Sequence, residues 1–240
     1  MTQPGRIDIH SHLLPGIDDG CVDLEESMAC IKRLKERGFA GSICTPHVWT
    51  NLYPQNIPQH IQAHTAKLQQ ELADRSIEYQ LWSGGEVRLF EGAIEWFENH
   101  GVPTLANSRC VLTDYWNLKW PKWAKRIYEW LLEEGYQPIL AHPERMPCAG
   151  EMGEALAELL AMGIWLQGNS NCMTGEEGHT ADHMVRGLLQ KQQYKFIALD
   201  IHRLETLETR LEGLDLIEME FGSQTLDHLT TYAPRELILS

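Results

Sequence analysis

Ile7-Asp8-Ile9-His10-Ser11-His12-Leu13-Leu14-Pro15-Gly16-Ile17-Asp18-Asp19-Gly20 is the stretch from which the fold is read. It opens as a short apolar strand, sets two histidines two residues apart, turns at Pro-Gly and closes on adjacent aspartates. Side chains alternate across a strand, so His10 and His12 share one face. Two imidazoles on one face at a strand end suit a metal ion. An isolated His-x-His is more often a solvated strand end. Here His, Asp and Glu recur at later strand ends, and that recurrence carries the metal reading.

Working outward, Asp23 can cap a helix in which Leu24, Met28, Ile31 and Leu34 recur at helical spacing and which Gly38 stops. Further strands are expected over residues 39–44, 79–83, 110–113, 138–141, 164–167 and 195–199. Helices are expected over 58–74, 91–99, 121–134, 151–162 and 179–192. Helical sequence fills the remainder, with breaks near Gly222 and Pro234. The segment 48–57 is aromatic and proline-rich and reads as a loop over a site. Seven strand-helix units without a linker predict one α/β domain over residues 1–240 with a parallel sheet. Polar residues just after each strand would line the catalytic face of a closed barrel. In an open doubly wound sheet they would line the switch-point crevice. Repetition favours the barrel, and periodicity alone leaves the open sheet standing. Neither Gly-x-Gly-x-x-Gly nor a Walker A loop is present to support a nucleotide site.

The 240-residue chain carries a formal net charge of −14, which argues against nucleic-acid binding or docking on anionic membranes. No apolar run approaches about 18 residues, so no membrane span is expected. Met1-Thr2-Gln3-Pro4-Gly5 lacks the apolar core of a secretory leader, and the expectation is a cytoplasmic protein. The six cysteines (Cys21, Cys30, Cys44, Cys110, Cys148 and Cys172) form no Cys-x-x-Cys pair. They read as small buried hydrophobes. The Cys-x5-Arg signature of a cysteine phosphatase fails: the sixth positions after them are Ser27, Glu36, Thr50, Trp116, Glu154 and Gly178.

The polar groups at the expected strand ends are His10, His12, Asp18, Asp19, His47, Glu86, Asp114, His142, Glu144, Arg145, Asp200 and His202. Imidazole and carboxylate without thiolate suit Mn, Fe or Zn at a reactive site more than a structural zinc. So many ligands exceed what one ion needs, and a cluster of two or three ions is the economical explanation. Ions about 3.5–4 Å apart, bridged by a carboxylate, activate water and clamp phosphate oxygens.

These pieces resemble the PHP (polymerase and histidinol phosphatase) domain. More closely, the chain resembles the manganese-dependent protein-tyrosine phosphatases of bacterial capsule and exopolysaccharide operons. The matching motifs are Asp8-Ile9-His10-Ser11-His12, Leu14-Pro15-Gly16-Ile17-Asp18-Asp19-Gly20, Thr45-Pro46-His47, Gly85-Glu86-Val87, His142-Pro143-Glu144-Arg145 and Asp200-Ile201-His202. They span nearly the whole chain in the family's order. The resemblance implies a distorted (β/α)7 TIM-like barrel with a site for up to three ions. It implies His10, His12, Glu86 and Asp200 on a first ion; Glu86 bridging to a second with Asp114 and His142; and Asp19, His47 and His202 on a third. It also implies Arg145 on the phosphate and Asp18 shaping the loop beside Asp19. Mn2+ is the implied metal, with Fe or Zn as substitutes. The implied substrate is a phosphotyrosine-bearing protein such as the tail of a bacterial tyrosine kinase. Two positions depart from the family. Asp114 stands where Glu is usual, implying a weaker second site, and Arg203-Leu204-Glu205-Thr206 replaces the usual Arg-Pro-Pro.

Alternative readings remain at this level. A PHP phosphoesterase acting on a small molecule such as histidinol phosphate would use the same ligands. A silent regulatory domain binding a kinase tail would have lost some of them. Arg88 and Arg203 read as surface charges within possible reach of phosphate. Trp49, Tyr53, Trp116 and Trp120 read equally as packing or as a groove for an aromatic phosphoester. His60, His64, His100, His179, His183 and His228 lack motif partners and read as structural or solvated.

Overall fold

The computed structural model describes residues 4–239. The reading of Met1-Thr2-Gln3 therefore lies outside the described residues.

The opening strand is β1 (Arg6–Ser11), followed by α1 (Leu24–Glu36). Asp23 caps α1 by accepting from the Glu26 amide at 2.9 Å, and Gly38 leaves the helix with φ +84°, as helix C-termini favour. The chain continues through β2 (Phe39–Cys44), β3 (His47–Val48), α2 (Pro58–Asp74), β4 (Gln80–Ser83), β5 (Glu86–Arg88) and α3 (Ala93–His100). Then come β6 (Cys110–Asp114), α4 (Ala124–Glu133), β7 (Gln137–Ala141), α5 (Gly153–Ala161), β8 (Trp165–Asn169), α6 (His179–Gln190) and β9 (Phe196–Ala198). Helices α7 (Leu207–Phe221), α8 (Ser223–Asp227) and α9 (Ala233–Leu239) end the chain. The expected break at Gly222 is present. At Pro234 the helical path is not broken: a π-turn over His228–Tyr232 leads into α9, and Pro234 stands at its second position, where a missing N–H costs little.

All strand pairings are parallel, in two sheets of order β1-β2-β4 and β3-β5-β6-β7-β8-β9. The strands expected over 39–44 and 79–83 are present, and each is followed by a further short strand. Thr45-Pro46 divides β2 from β3, and Gly84-Gly85 divides β4 from β5. Pro46 has no amide to give a ladder. A Cβ on Gly84 would sit 2.7 Å from the buried Leu105 side chain, so packing leaves little room there for a larger residue. Joined across these kinks, the strands run in chain order as seven. The last returns to the first through the Asp200 amide on the His10 carbonyl (2.9 Å) and the His12 amide on the Ile201 carbonyl (2.8 Å). The Asp8 carboxylate extends this seam by accepting from the Leu199 amide at 3.0 Å. This is an α/β fold of the (β/α)7 order, distorted where the ladders break.

The larger core packs helices against strands, with Leu34, Leu68, Val87, Val111, Tyr128, Leu140 and Leu166 among its members. A smaller one joins Leu112, Ile139, Ala141, Phe196 and Ala198 to Ala233 and Leu237 of α9. Leu112 is two residues before Asp114, and Ala198 two before Asp200. The same strand face therefore turns from apolar to acidic toward its C-terminal end, which puts the polar residues over a rigid floor.

Candidate metal centre

The strand ends converge on one cleft of about 300 Å³ whose lining includes Asp19, His47, Glu86, Asp114, His142, Arg145, Asp200 and His202. Beneath it the Nε2 atoms of His10 and His12 face each other at 3.3 Å. Asp200 Oδ1 lies 3.3 Å from both, and Glu86 Oε2 lies 3.4 and 3.5 Å from them. The other oxygen of Glu86, Oε1, meets His142 Nε2 at 2.8 Å. On the outer side Asp19 Oδ1 stands 3.3 Å from His47 Nε2 and 3.6 Å from His202 Nε2.

Donor atoms of three groups could each hold one ion: His10, His12 and Asp200; His10, Glu86 and His142; and His12, Asp19, His47 and His202. These groups are close to the expected division, with His10 and His12 each shared between two of them. Asp114 belongs to none. Its Oδ2 accepts from Arg88 Nη1 at 2.9 Å, and its Oδ1 is buried without a hydrogen bond.

Backbone strain marks the same place. His142 has φ 32° and ψ 54° and Asp200 has φ 52°, left-handed conformations that non-glycine residues rarely adopt and that gather at functional sites. Each turns its side chain off the end of a strand and into the cleft.

Electrostatics set the charge state of the cluster. Glu86 Oε2 lies 2.8 Å from His47 Nδ1 as well as facing His10 and His12, while Asp114 Oδ1 and His142 Nδ1 are buried and lack hydrogen-bond partners. Buried polar atoms left unpaired are costly. Burial alone would lower the pKa values of His10 and His12. The charges of Asp200 and Glu86 on the first, and of Asp18 on the second, outweigh it and raise both. Burial likewise opposes ionisation of Glu86 and Asp200, yet the facing imidazoles hold both well below the usual carboxylate range. Burial, with His12 adding to it, pushes His202 down to about 4, leaving a neutral imidazole ready to ligate. Asp114 is pushed up, by burial first and then by the charge of Glu86. The orphaned donors, their hard N/O chemistry and their convergence fit divalent ions.

Asp18 does not line the cleft. Its Oδ2 takes His12 Nδ1 at 2.7 Å and the His47 amide at 2.9 Å, and its Oδ1 takes the Gly20 amide at 2.9 Å. Burial raises its pKa, but His12 overcomes this and brings it to about 2. A carboxylate behind a ligating imidazole fixes the tautomer and leaves Nε2 free for the ion. Gly20 is required in this loop, since a Cβ there would lie 2.2 Å from the His12 carbonyl oxygen.

Sequence reasoning did not single out the corresponding support of His10. Gln167 Oε1 meets His10 Nδ1 at 2.8 Å, and Gln167 Nε2 donates to Asn169 Oδ1 at 2.7 Å. Asn169 Nδ2 then reaches Asp200 Oδ2 at 2.7 Å. Both lie two apart on β8, and a polar alternation at the end of an otherwise apolar strand was the available signal. Glu144 proves to be a brace, accepting from the Asn169 amide at 2.6 Å and the Tyr194 hydroxyl at 2.7 Å. Arg145 Nη1 lies 2.5 Å from Asp200 Oδ2, and its Nε 3.2 Å from Glu177. Arg203 is a surface charge paired with Glu26. Arg88 is not: its side chain is 15% exposed and lies in the cleft. The tertiary fold decides this by bringing Trp49 and Trp116 over its guanidinium. The histidines at 60, 64, 100, 179, 183 and 228 take part in none of the three groups, and all six cysteines are free and buried.

The sequence model of the family described as capsular polysaccharide synthesis, CpsB/CapC, matches residues 6–239. Tyrosine-protein phosphatase YwqE of Bacillus subtilis is 28% identical over 234 residues, which cover 97% of this chain and 91% of the relative. Tyrosine-protein phosphatase CpsB of Streptococcus agalactiae is 27% identical over 234 residues, 93% of this chain and 94% of the relative. A crystal structure from work on YwqE of B. subtilis and CpsB of Streptococcus pneumoniae, described as unique metal-dependent tyrosine phosphatases, superposes with a TM-score of 0.88. It does so at 27% identity over 97% of this chain and 94% of that one.

Proposed function

Because the chain belongs to the CpsB/CapC capsular polysaccharide synthesis family, we propose that it is a metal-dependent protein-tyrosine phosphatase with a single catalytic domain over residues 1–240. The observation that carries the proposal is the placement of Glu86. One of its oxygens faces His10 and His12, the other faces His142, and Arg145 stands beside them at the cleft. His10, His12, Glu86 and Asp200 would hold a first ion. Glu86, His142 and, after a shift of its side chain, Asp114 would hold a second. Asp19, His47 and His202 would hold a third. Mn2+ suits this donor set, with Fe or Zn as substitutes. Such ions would lower the pKa of water they bind from roughly 16 to about 7 and neutralise phosphate oxygens.

The chain's own residues do the rest. Arg145 presents a planar guanidinium whose fork matches two phosphoryl oxygens, and release from Asp200 on ligand binding would free it to do so. Asp18 and Gln167 orient His12 and His10. The apolar floor under Asp114 and Asp200 keeps bulk water from the rear of the site, which strengthens every charge interaction within it. A tyrosine leaving group, with a pKa near 10, departs more readily than an alkoxide.

The names of the relatives support phosphotyrosine over histidinol phosphate as the substrate class. The family's role in capsule synthesis supports the tail of a capsule-regulating tyrosine kinase as the protein that carries it. No helix among the described residues is long and apolar enough to cross a membrane, in keeping with action from the cytoplasm. The test is hydrolysis of a tyrosine phosphopeptide and of histidinol phosphate after chelation and after Mn2+ readdition. Activity on the peptide that vanishes with EDTA, returns with Mn2+ and exceeds that on histidinol phosphate is expected. Peptide hydrolysis that survives exhaustive chelation refutes the proposal.

A further inference from the structure

Trp49, Arg88, Asp114 and Trp116 line the cleft together with Glu86, His142 and Arg145. Arg88 lies two residues beyond Glu86 on β5, so both project from one face, with Arg88 about 6.6 Å further along the strand. That places it above the phosphate-binding level. Among the described residues the only hydrogen-bond partner of its side chain is Asp114, through Nη1 at 2.9 Å. Its guanidinium carbon stands 4.3 Å over the Trp49 ring and 6.0 Å from the Trp116 ring. The Arg145 guanidinium carbon lies 5.7 Å from that same Trp116 ring, whose edge-on neighbour is His142 at 6.5 Å.

Trp116 is the exception in this group. Its relative exposure is 44%, although an indole gains more than most side chains from burial. Its ring contacts are two cations and a ligand-type imidazole, all residues of the cleft, and no core ring covers it among the described residues. Tyr115 and Trp120, from the same loop, pack on each other and on Trp123 and Tyr128 instead.

We propose that Trp116 is a specificity-determining residue whose exposed face receives the aromatic ring of an aryl phosphomonoester, with Arg88, stacked on Trp49, flanking that ring. This deepens the phosphatase reading and rests on it. A phosphoryl group held at the level of Glu86, Asp200 and Arg145 must point its ester substituent out through the mouth. A phenyl ring there meets an indole wall and the Arg88 guanidinium. The side chain of phosphoserine is too short to reach that wall, and an alkyl chain has no π face to offer it. Metal-type ligands grip the phosphoryl group common to all monoesters, so discrimination has to come from what surrounds the substituent.

The test uses Mn-loaded protein and two non-hydrolysable probes, benzylphosphonate and propylphosphonate. Binding of each is measured by calorimetry for wild type, Trp116→Ala and Trp116→Phe. Metal content and hydrolysis of a tyrosine phosphopeptide are followed in parallel. Wild type is expected to prefer benzylphosphonate. Trp116→Ala is expected to shrink that preference about three- to tenfold, the size of a lost aromatic pair, and to raise KM for the phosphopeptide. Trp116→Phe is expected to retain most of the preference at unchanged metal content. An unaltered preference in Trp116→Ala overturns the proposal, as does a loss of metal content that accounts for the change. Failure of the underlying phosphatase reading is a separate result, namely wild-type protein that leaves the phosphopeptide intact.

Discussion

Replacing Asp18 by Asn tests whether a residue that touches no substrate controls the metal site. The carboxylate is fully buried on the side-chain scale and accepts three hydrogen bonds, two at Oδ2 from His12 Nδ1 and the His47 amide and one at Oδ1 from the Gly20 amide. Asparagine offers one acceptor oxygen. If that oxygen keeps His12 and His47, its NH2 faces the Gly20 N–H, donor against donor. If it turns to Gly20, both other donors lose their partner. Either way at least one buried hydrogen bond to a charged group disappears, at a cost of about 1–3 kcal/mol. His12 also loses the anion behind it, so Nε2 becomes a poorer ligand. Outer carboxylates of this kind are worth about 10–100-fold in metal affinity, or roughly 1.4–2.7 kcal/mol. The expected outcome is weaker binding of at least one ion by calorimetry, lower metal content by elemental analysis, and a fall in kcat that excess Mn2+ partly restores. Asp18→Asn with wild-type affinity, stoichiometry and kcat would refute the reasoning.

Asp114 is tied to Arg88 and outside the three donor groups, so Asp114→Glu, one methylene longer, should tighten the second ion while Asp114→Asn lowers kcat more than it alters KM; wild-type kinetics in Asp114→Asn would remove it from the site. Metal uptake should release protons. In the ion-free protein His10 and His12 have raised pKa values, protons compete with the metal for them, and apparent affinity must therefore rise with pH through the neutral range; calorimetry in buffers of different ionisation enthalpy would show no proton release if this is wrong. Gly20→Ala would drive a Cβ to 2.2 Å from the His12 carbonyl oxygen, and a backbone collision of this kind should cost about 1–3 kcal/mol, seen as a melting point lower by several degrees together with metal loss. Alkylation of the native protein should leave activity intact, because all six thiols are buried; loss of activity with metal content preserved would contradict this.

The sequence by itself determined the elements and the order of the chemistry along them. Alternating apolar runs and helical periodicities locate β2 and α2 to the residue, because burying one face of a strand or helix leaves a local imprint on residue order. His10, His12, Glu86, His142 and Asp200 are legible for a related reason: each follows an apolar strand, and in a parallel α/β fold all such ends gather on one side. Contacts between distant segments leave no such imprint. The kinks at Thr45-Pro46 and Gly84-Gly85, the seam where Asp8 replaces a ladder bond, and the props that Gln167 and Asn169 place behind the ligands exist only once the first and last strands meet. Arg88 reads as a surface charge in sequence because a cation two residues past a ligand carries no sign of what will cover it. The neighbouring strand β6 supplies Asp114, and two loops bring Trp49 and Trp116 over the Arg88 guanidinium. Which carboxylate faces imidazoles and which faces an arginine is settled by three-dimensional distance: Glu86 meets His142, and Asp114 meets Arg88.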